Sequence, residues 1–255
     1  MQLFYKEYPG PGEAIIVMHG LFGMLDNWHN VARQLSADFR VITVDLRNHG
    51  QSPHSEDMNY EVMAEDIGEL LDTLGLQKAN LLGHSMGGKV AMKFALTRPE
   101  RTGSLVVVDM GPQTYPPGHN EIFMALLQLD ISDGEKKRSS FDEELAGEIP
   151  EFSVRQFLLK SLSRSHEGQY YWKFNLPVLY KKYEQILSPI TSEQPYVGPA
   201  LFVRGAKSGY IKDADATTIR QLFPSATIKT VEGAGHWVHA EKPAELLVLL
   251  RNFLQ

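Results

Sequence analysis

The most restrictive feature of the sequence is GHSMG at residues 83–87, which matches the pattern G-x-S-x-G. It follows the short apolar run Ala79–Leu82 and precedes a stretch with helical character that ends at Pro99. In a strand–turn–helix of this kind the turn is very tight, so the residues two before and two after the serine must lack bulk. The pattern therefore predicts that Ser85 has a strained backbone and presents a nucleophilic hydroxyl above the edge of a sheet.

Short apolar runs alternate with helical stretches along much of the chain. The runs that predict strands are Ala14–Met18, Arg40–Val44, Ala79–Leu82, Leu105–Val108, Ala200–Val203 and Thr227–Val231. Helical spacing is clearest in Met58–Leu74, where Asn59 is placed to cap the start and Gly75 to end the helix. A closing helix is predicted over Ala240–Leu254. This alternation predicts an α/β fold with a mostly parallel central sheet flanked by helices.

The pattern changes in the middle of the chain. Between Pro112 and Pro195 no strand stands out, and helical stretches such as Asn120–Leu129 and Ser153–Leu162 dominate. Long connections inside a domain are typically functional lids. We therefore expect a helical cap inserted after the strand that ends at Asp109. The predicted division is a core of residues 1–112 and 197–255 and a cap of residues 113–196.

Composition excludes several classes of function. A net charge of −6 offers no attraction to nucleic acid or to anionic membranes. The absence of cysteine excludes disulfides, thiolate catalysis and cysteine-ligated zinc, and it fits a reducing cytoplasm. The first ten residues lack the apolar stretch of a signal peptide, and no apolar segment reaches the ~20 residues that span a bilayer. We expect a cytoplasmic monomer or small homo-oligomer with a small-molecule substrate.

Two backbone amides are candidates for an oxyanion hole. The N–H of Met86 opens the predicted helix after Ser85, near the positive end of the helix dipole. The second donor in such sites comes from the loop after an earlier core strand, here HGLFG at residues 19–23. Leu21 is the preferred residue for this amide, and Phe22 is the next candidate.

The general base is expected to be a histidine, because imidazole exchanges a proton near neutral pH. His236 follows the last predicted strand and therefore lies at the carboxyl edge of the sheet, where ligands bind in open α/β sheets. His239 is the rival and is expected to face the closing helix. His84 adjoins Ser85, but its side chain is expected to point along the start of the helix. No histidine pair has the i, i+4 spacing beside a glutamate, so neither a metal site nor a cofactor is predicted.

Four motifs are spread over the chain: HGLFG (19–23), DLRNHGQS (45–52), GHSMGG (83–88) and GAGHWVHAEKP (233–243). Taken together, they resemble those of the α/β-hydrolase superfamily, and in particular small bacterial esterases of the YbfF type. In most of the superfamily the catalytic acid follows the cap in a G-x-x-D motif. Here that motif begins at Gly205 and reads GAKS, so Ser208 stands where the acid is expected.

Asp109 is the best candidate for the missing acid. It ends the apolar run LVVV at the same sheet edge, and esterases of the YbfF type are similar in having their acid at this position. Asp109 would then orient His236 and stabilise its charged form. Asp213 and Asp215, in the loop after Ser208, are the alternatives. A purely structural role remains open, since aspartate often caps a turn at a strand end.

The resemblance implies hydrolysis of carboxylic esters of short to medium acyl chain through an acyl-enzyme, with acyl thioesters such as acyl-CoA as a further class. Phe22, His84 and Trp237 are the predicted substrate-pocket residues. The basic residues 136–138 are placed either to meet phosphates or to form a solvated helix face. The same scaffold also supports C–C bond hydrolysis, perhydrolysis or a ligand receptor without turnover. Asp45 and Arg47 are expected to stabilise their own loop.

Overall fold

The protein contains nine β-strands. In a computed structural model, which describes all 255 residues, the strands are β1 (Tyr5–Tyr8), β2 (Ala14–Met18), β3 (Arg40–Val44), β4 (Ala79–His84), β5 (Thr102–Val108), β6 (Leu162–Arg164), β7 (Tyr170–Trp172), β8 (Ala200–Gly205) and β9 (Ala226–Val231). Seven of them form one sheet in the order β1-β3-β2-β4-β5-β8-β9, in which only β1 is antiparallel to its neighbour. The mostly parallel sheet of an α/β fold is therefore confirmed.

Eleven α-helices accompany the strands. They are α1 (His29–Leu35), α2 (Tyr60–Thr73), α3 (Met86–Thr97), α4 (Asn120–Gln128), α5 (Arg138–Leu145), α6 (Phe152–Leu159), α7 (Leu176–Lys181), α8 (Tyr183–Leu187), α9 (Ala216–Leu222), α10 (Val238–Glu241) and α11 (Pro243–Leu254). The caps of α2 are those predicted, since Asn59 accepts a hydrogen bond from the Val62 N–H at 2.9 Å and Gly75 has a φ of +67°. None of these helices has the length and the apolar character needed to cross a bilayer.

Three elements differ from the sequence expectation. The edge strand β1 was missed because its sequence, YKEY, is largely polar and exposed. The antiparallel hairpin β6–β7 lies inside the stretch in which no strand was expected, and each of its strands has only three residues. The closing helix is divided into α10 and α11, because Pro243 has no N–H to continue a helix and instead begins the next one.

The inner strands of the sheet are buried on both faces, which explains why they are almost continuously apolar, whereas the edge strands β1 and β9 are partly exposed. Along β2, Ile16 and Met18 pack into one hydrophobic cluster, while Ile15 and Val17 pack into another on the opposite face. Successive side chains of a strand point to opposite faces, so each cluster takes every second residue. The six parallel strands β2, β3, β4, β5, β8 and β9 end at one edge, and the loops that follow them are held next to one another.

The segment between β5 and β8 contains helices α4–α8 and the hairpin. It contacts the rest of the chain through several buried hydrogen bonds. Ser161 Oγ donates to the Phe22 carbonyl at 3.1 Å, and Tyr60 Oη donates to the Ile186 carbonyl at 2.6 Å. The assignment of residues 113–196 to a separate cap remains our proposal.

A buried lysine joins the two ends of this segment to helix α3. Lys89 is 1% exposed, and its Nζ donates to the carbonyls of Gln113 at 2.8 Å and Ser188 at 2.6 Å. Its ammonium also lies 5.7 and 5.0 Å from the ring centroids of Tyr60 and Tyr115. Burial lowers the pKa of Lys89 to about 7, whereas the carbonyls and the rings stabilise its charged form. Lys89 thus holds the entry and the exit of the inserted segment together.

The first prediction concerns this lysine. Replacing it with methionine, Lys89→Met, should lower the free energy of unfolding by about 2–4 kcal/mol, because the partly buried carbonyl oxygens of Gln113 and Ser188 lose their donor. Urea denaturation measures the loss. The matched control is Lys93→Met, one turn later, which removes an ion pair with the exposed Glu61 and should cost less than about 1 kcal/mol. Equal losses in the two variants would contradict the role of Lys89.

Candidate active site

Ser85 lies in the strained turn that the sequence predicts. Its backbone has φ 53° and ψ −120°, a region that non-glycine residues rarely adopt. A side chain at Gly83 would collide with the carbonyl of Gly87, and one at Gly87 would collide with the carbonyl of His19. A hydrogen bond from the Ser85 N–H to the Val108 carbonyl, at 3.1 Å, joins the turn to the neighbouring strand β5. These contacts position the hydroxyl at the carboxyl edge of the sheet.

Two cavities meet at Ser85. The larger cavity, of about 440 Å³, is lined by residues that include Met86, Tyr60, Tyr115, Tyr183 and Ile186. The smaller cavity, of about 250 Å³, is lined by residues that include His236, Val154, Phe22, His84 and Trp237. The three residues expected in the substrate pocket therefore all line the smaller cavity. The sequence reasoning missed the larger one, whose lining comes from both the core and the inserted segment.

Asp109 and His236 are in direct contact, although they are far apart in the sequence. The Nδ1 of His236 lies 2.7 Å from Oδ2 of Asp109. The Asp109 side chain is fully buried, and its Oδ1 accepts a hydrogen bond from the Gly205 N–H at 3.0 Å. Because Asp109 accepts a hydrogen bond from Nδ1 of His236, the Nε2 atom of the same ring is left to exchange protons with a substrate or with Ser85.

The serine at the usual position of the acid also contacts Asp109. Ser208 Oγ donates to the same carboxylate oxygen that His236 contacts. The two alternative acids do not reach the histidine: Asp213 pairs with Arg204 at 2.7 Å, and Asp215 accepts from the backbone N–H of Lys212 at 2.7 Å. Ser208 occupies the usual position of the acid, and its hydroxyl instead donates a hydrogen bond to Asp109, the candidate acid in this chain.

The loop that carries His236 is held by a carboxylate that the sequence reasoning missed. Glu241 accepts hydrogen bonds from the N–H groups on both sides of the histidine, Gly235 at 2.8 Å and Trp237 at 3.2 Å. The ring of Tyr210 stacks on the imidazole with centroids 4.0 Å apart. The signal available in the sequence was a glutamate five residues after His236, which is the last residue of α10.

His84 and His239, the two other histidines considered in the sequence analysis, do not fit the role of base. His84 Nε2 donates to the His236 carbonyl at 2.9 Å, and burial holds its pKa well below the usual value. Its ring lines the smaller cavity instead of continuing along the helix. His239 stacks on Trp28 with centroids 4.5 Å apart, and burial lowers its pKa to about 3. Both rings are therefore neutral at the pH where a base must gain and lose a proton.

Both predicted oxyanion donors lie beside Ser85. Met86 is the first residue of α3, so its N–H has no acceptor within the helix. The N–H of Leu21 donates to no group of the protein, and both residues line the larger cavity with Ser85. The loop packs closely on the serine, since a side chain at Gly20 would lie 3.1 Å from Ser85 Cβ. The structure shows no hydrogen bond from Ser85 Oγ to His236, a contact that often tightens only in the substrate complex.

The loop DLRNHGQS has a structural role. Asp45 accepts hydrogen bonds from the N–H groups of Leu25 at 2.7 Å and Gln51 at 2.9 Å. Arg47 forms a buried ion pair with Asp66 of α2, with 2.6 Å between Nε and Oδ2. The loop is thereby joined to α2 and to the segment after HGLFG.

Comparison with known proteins identifies the fold family. Residues 13–243 match the family model described as the α/β hydrolase fold. The chain belongs to the α/β-hydrolase family. This α/β hydrolase is 41% identical over 248 residues to the sn-1-specific diacylglycerol lipase ABHD11 of Mus musculus, covering 94% of this chain and 80% of that protein. It is 39% identical over 241 residues to esterase YbfF of Escherichia coli, covering 94% and 92% of the two chains.

Among solved structures, this hydrolase matches a marine microorganism esterase with a TM-score of 0.96 and 39% identity, covering 99% of both chains. The resemblance to small bacterial esterases is therefore confirmed. Because these relatives are named esterases and lipases, the chain is an enzyme of the carboxylesterase type.

The second prediction tests the assignment of the acid. Asp109→Asn should lower the turnover of a p-nitrophenyl ester by about 10³–10⁴-fold with little change in KM, because an amide does not stabilise an imidazolium. Steady-state kinetics measure both parameters. Asp213→Asn is the control and should retain full activity. A large loss in Asp213→Asn together with an active Asp109→Asn would show that the acid is misassigned.

Proposed function

We propose that this protein is a serine hydrolase that cleaves carboxylic esters through an acyl-enzyme intermediate. The observation that carries the proposal is the arrangement around Ser85. The strained serine lies where two cavities meet, His236 of the Asp109–His236 pair lines one of them, and Leu21 and Met86, whose N–H groups have no acceptor in the protein, line the other with the serine. This arrangement supplies a nucleophile, a base held by an anion, and two donors for an oxyanion.

In the proposed mechanism, Ser85 Oγ attacks the ester carbonyl while His236 Nε2 accepts its proton. The oxyanion that forms accepts hydrogen bonds from the N–H groups of Leu21 and Met86. The C–O bond then breaks, and His236 returns the proton to the departing alkoxide. Water, deprotonated by His236, attacks the acyl-enzyme and releases the carboxylic acid and free Ser85. Asp109 stabilises the imidazolium in both halves of the reaction.

The cavities indicate which part of the substrate lies on which side. His236 lines only the smaller cavity, and it must protonate the leaving alkoxide, so the alcohol part belongs there. The acyl chain then extends into the larger cavity, beside Met86. Its apolar lining and its volume of about 440 Å³ suit acyl chains of short to medium length. The predicted pocket residues Phe22, His84 and Trp237 would contact the alcohol part.

Two of the three basic residues at 136–138 have partners within the protein, which argues against a role in binding a phosphate-bearing thioester. Lys136 pairs with Glu144 at 2.8 Å, and Arg138 donates to the carbonyls of Leu159 and Leu162. Esters are therefore the proposed substrates, and acyl-CoA is a comparison substrate in the assay below. The cytoplasm remains the proposed compartment because the chain has no cysteine.

The third prediction tests ester hydrolysis itself. The native protein should hydrolyse p-nitrophenyl butyrate, and Ser85→Ala should lower turnover by about 10⁶-fold, because the nucleophile is lost. A fluorophosphonate should inactivate the native protein by labelling Ser85, as peptide mass spectrometry would show. Butyryl-CoA, measured in parallel, compares thioester with ester. Saturable binding of esters with negligible hydrolysis would contradict the proposal and favour a receptor.

The fourth prediction tests the assignment of the acyl side. Ile186→Phe fills part of the larger cavity and should lower kcat/KM for a p-nitrophenyl decanoate by about tenfold or more, with little effect on the acetate. The matched control is Val154→Phe, which fills part of the smaller cavity and should leave acyl-chain preference unchanged. A shorter acyl limit in Val154→Phe but not in Ile186→Phe would reverse the assignment of the two sides.

A further inference from the structure

One histidine of the inserted segment lies at the junction of the two cavities and has no part in the proposed mechanism. His119, the residue before α4, lines both the larger and the smaller cavity, as Ser85 does. Its ring also packs edge-on against Phe22, with centroids 6.3 Å apart. The imidazole therefore faces the place where the scissile ester must lie.

Hydrogen bonds to Tyr183 determine which nitrogen of His119 carries the proton. The phenolic oxygen of Tyr183 accepts from the N–H of Gly118 at 3.1 Å and from the N–H of His119 at 3.0 Å. With both lone pairs occupied, the Tyr183 O–H can only donate, and its neighbour is His119 Nδ1 at 2.7 Å. Nδ1 is thus an acceptor, and the ring proton resides on Nε2.

The Nε2–H group of His119 is available to a substrate. It makes no hydrogen bond with the protein, and it is not sealed from solvent. Burial lowers the pKa of His119 to about 4, and the charge of His236 acts in the same direction, so the ring is neutral near pH 7. His119 therefore presents a neutral N–H donor in a mostly apolar site. Such a donor favours a ligand that has an acceptor oxygen at this point.

We propose that His119 is a specificity-determining residue whose Nε2–H binds an additional oxygen of the substrate, close to the scissile ester. This inference rests on the proposed function. The ester's own oxygens already have partners in the proposed mechanism. The carbonyl oxygen accepts hydrogen bonds from the N–H groups of Leu21 and Met86, and the alkoxy oxygen is protonated by His236. The preferred substrate class is an oxygenated ester. Its additional oxygen belongs either to the alcohol, as in polyol esters, or to the acyl chain.

Two pairs of substrates separate these sources. In the alcohol arm, 2-methoxyethyl butanoate is compared with butyl butanoate. In the acyl arm, butyl 3-methoxypropanoate is compared with butyl pentanoate. Each pair differs by one ether oxygen in place of a methylene, so it adds an acceptor and no donor. The measured quantity is the kcat/KM of the ether ester divided by that of the methylene ester in each pair. Comparing this ratio between the native enzyme and a variant cancels the intrinsic effect of the ether on reactivity.

In His119→Phe, which keeps a ring and removes the donor, the ratio should fall by about tenfold in one arm. That arm identifies the part of the substrate that carries the oxygen. His119→Gln retains an N–H donor and should restore part of the ratio. Tyr183→Phe removes the partner of Nδ1 and should lower the ratio in the same arm, which provides an independent test if His119→Phe does not fold.

Unchanged ratios in both arms for His119→Phe and Tyr183→Phe, in enzymes that still hydrolyse butyl butanoate, would overturn this inference and leave the proposed function intact. A native protein that hydrolyses none of the four esters would overturn the proposed function, and this inference with it. A fall in all four rates without a change in either ratio would show a structural role for His119 and would also overturn the inference.

Discussion

The contact between the buried Asp109 carboxylate and the His236 ring is the interaction on which the proposed chemistry depends. A carboxylate without solvent access is costly unless donors satisfy its oxygens. Here His236, Ser208 and the Gly205 N–H all contact it. These groups come from the ends of β8 and β9, and Asp109 comes from the end of β5. The order of the parallel strands therefore assembles the site, since these three strands lie side by side.

Backbone strain is concentrated at the same edge. Ser85 and Asp109 both follow a strand and both have a positive φ, 53° and 52°. Strain of about 1–3 kcal/mol at each residue persists only where the surroundings hold it. Glycines that allow close approach of the backbone hold Ser85, and a hydrogen bond from the Asp109 N–H to the Val203 carbonyl at 2.7 Å holds Asp109. The rigid sheet thus keeps the two groups in fixed positions, while the inserted segment supplies about half of the residues that line the larger cavity.

The sequence was most informative where a signal is local. The six parallel strands of the central sheet and α2 follow from apolar runs and caps, and Ser85 follows from a pentapeptide placed between a strand and a helix. Asp109 required two observations together: a serine at the usual position of the acid, and a carboxylate at the end of a neighbouring strand. Glu241, His119 and the larger cavity were missed because they depend on contacts between distant segments. Periodicity and spacing do not report which side chains meet across such distances.

The most direct test of the central claim is a crystal structure of the protein after reaction with a phosphonate that mimics the tetrahedral intermediate. We expect a covalent bond from Ser85 Oγ to phosphorus, with one phosphonyl oxygen within about 3 Å of the N–H groups of Leu21 and Met86. His236 should remain hydrogen-bonded to Asp109 through Nδ1, and its Nε2 should face the leaving-group oxygen. An adduct on another residue, or a His236 that has left Asp109 for Asp213 or Asp215, would contradict the account.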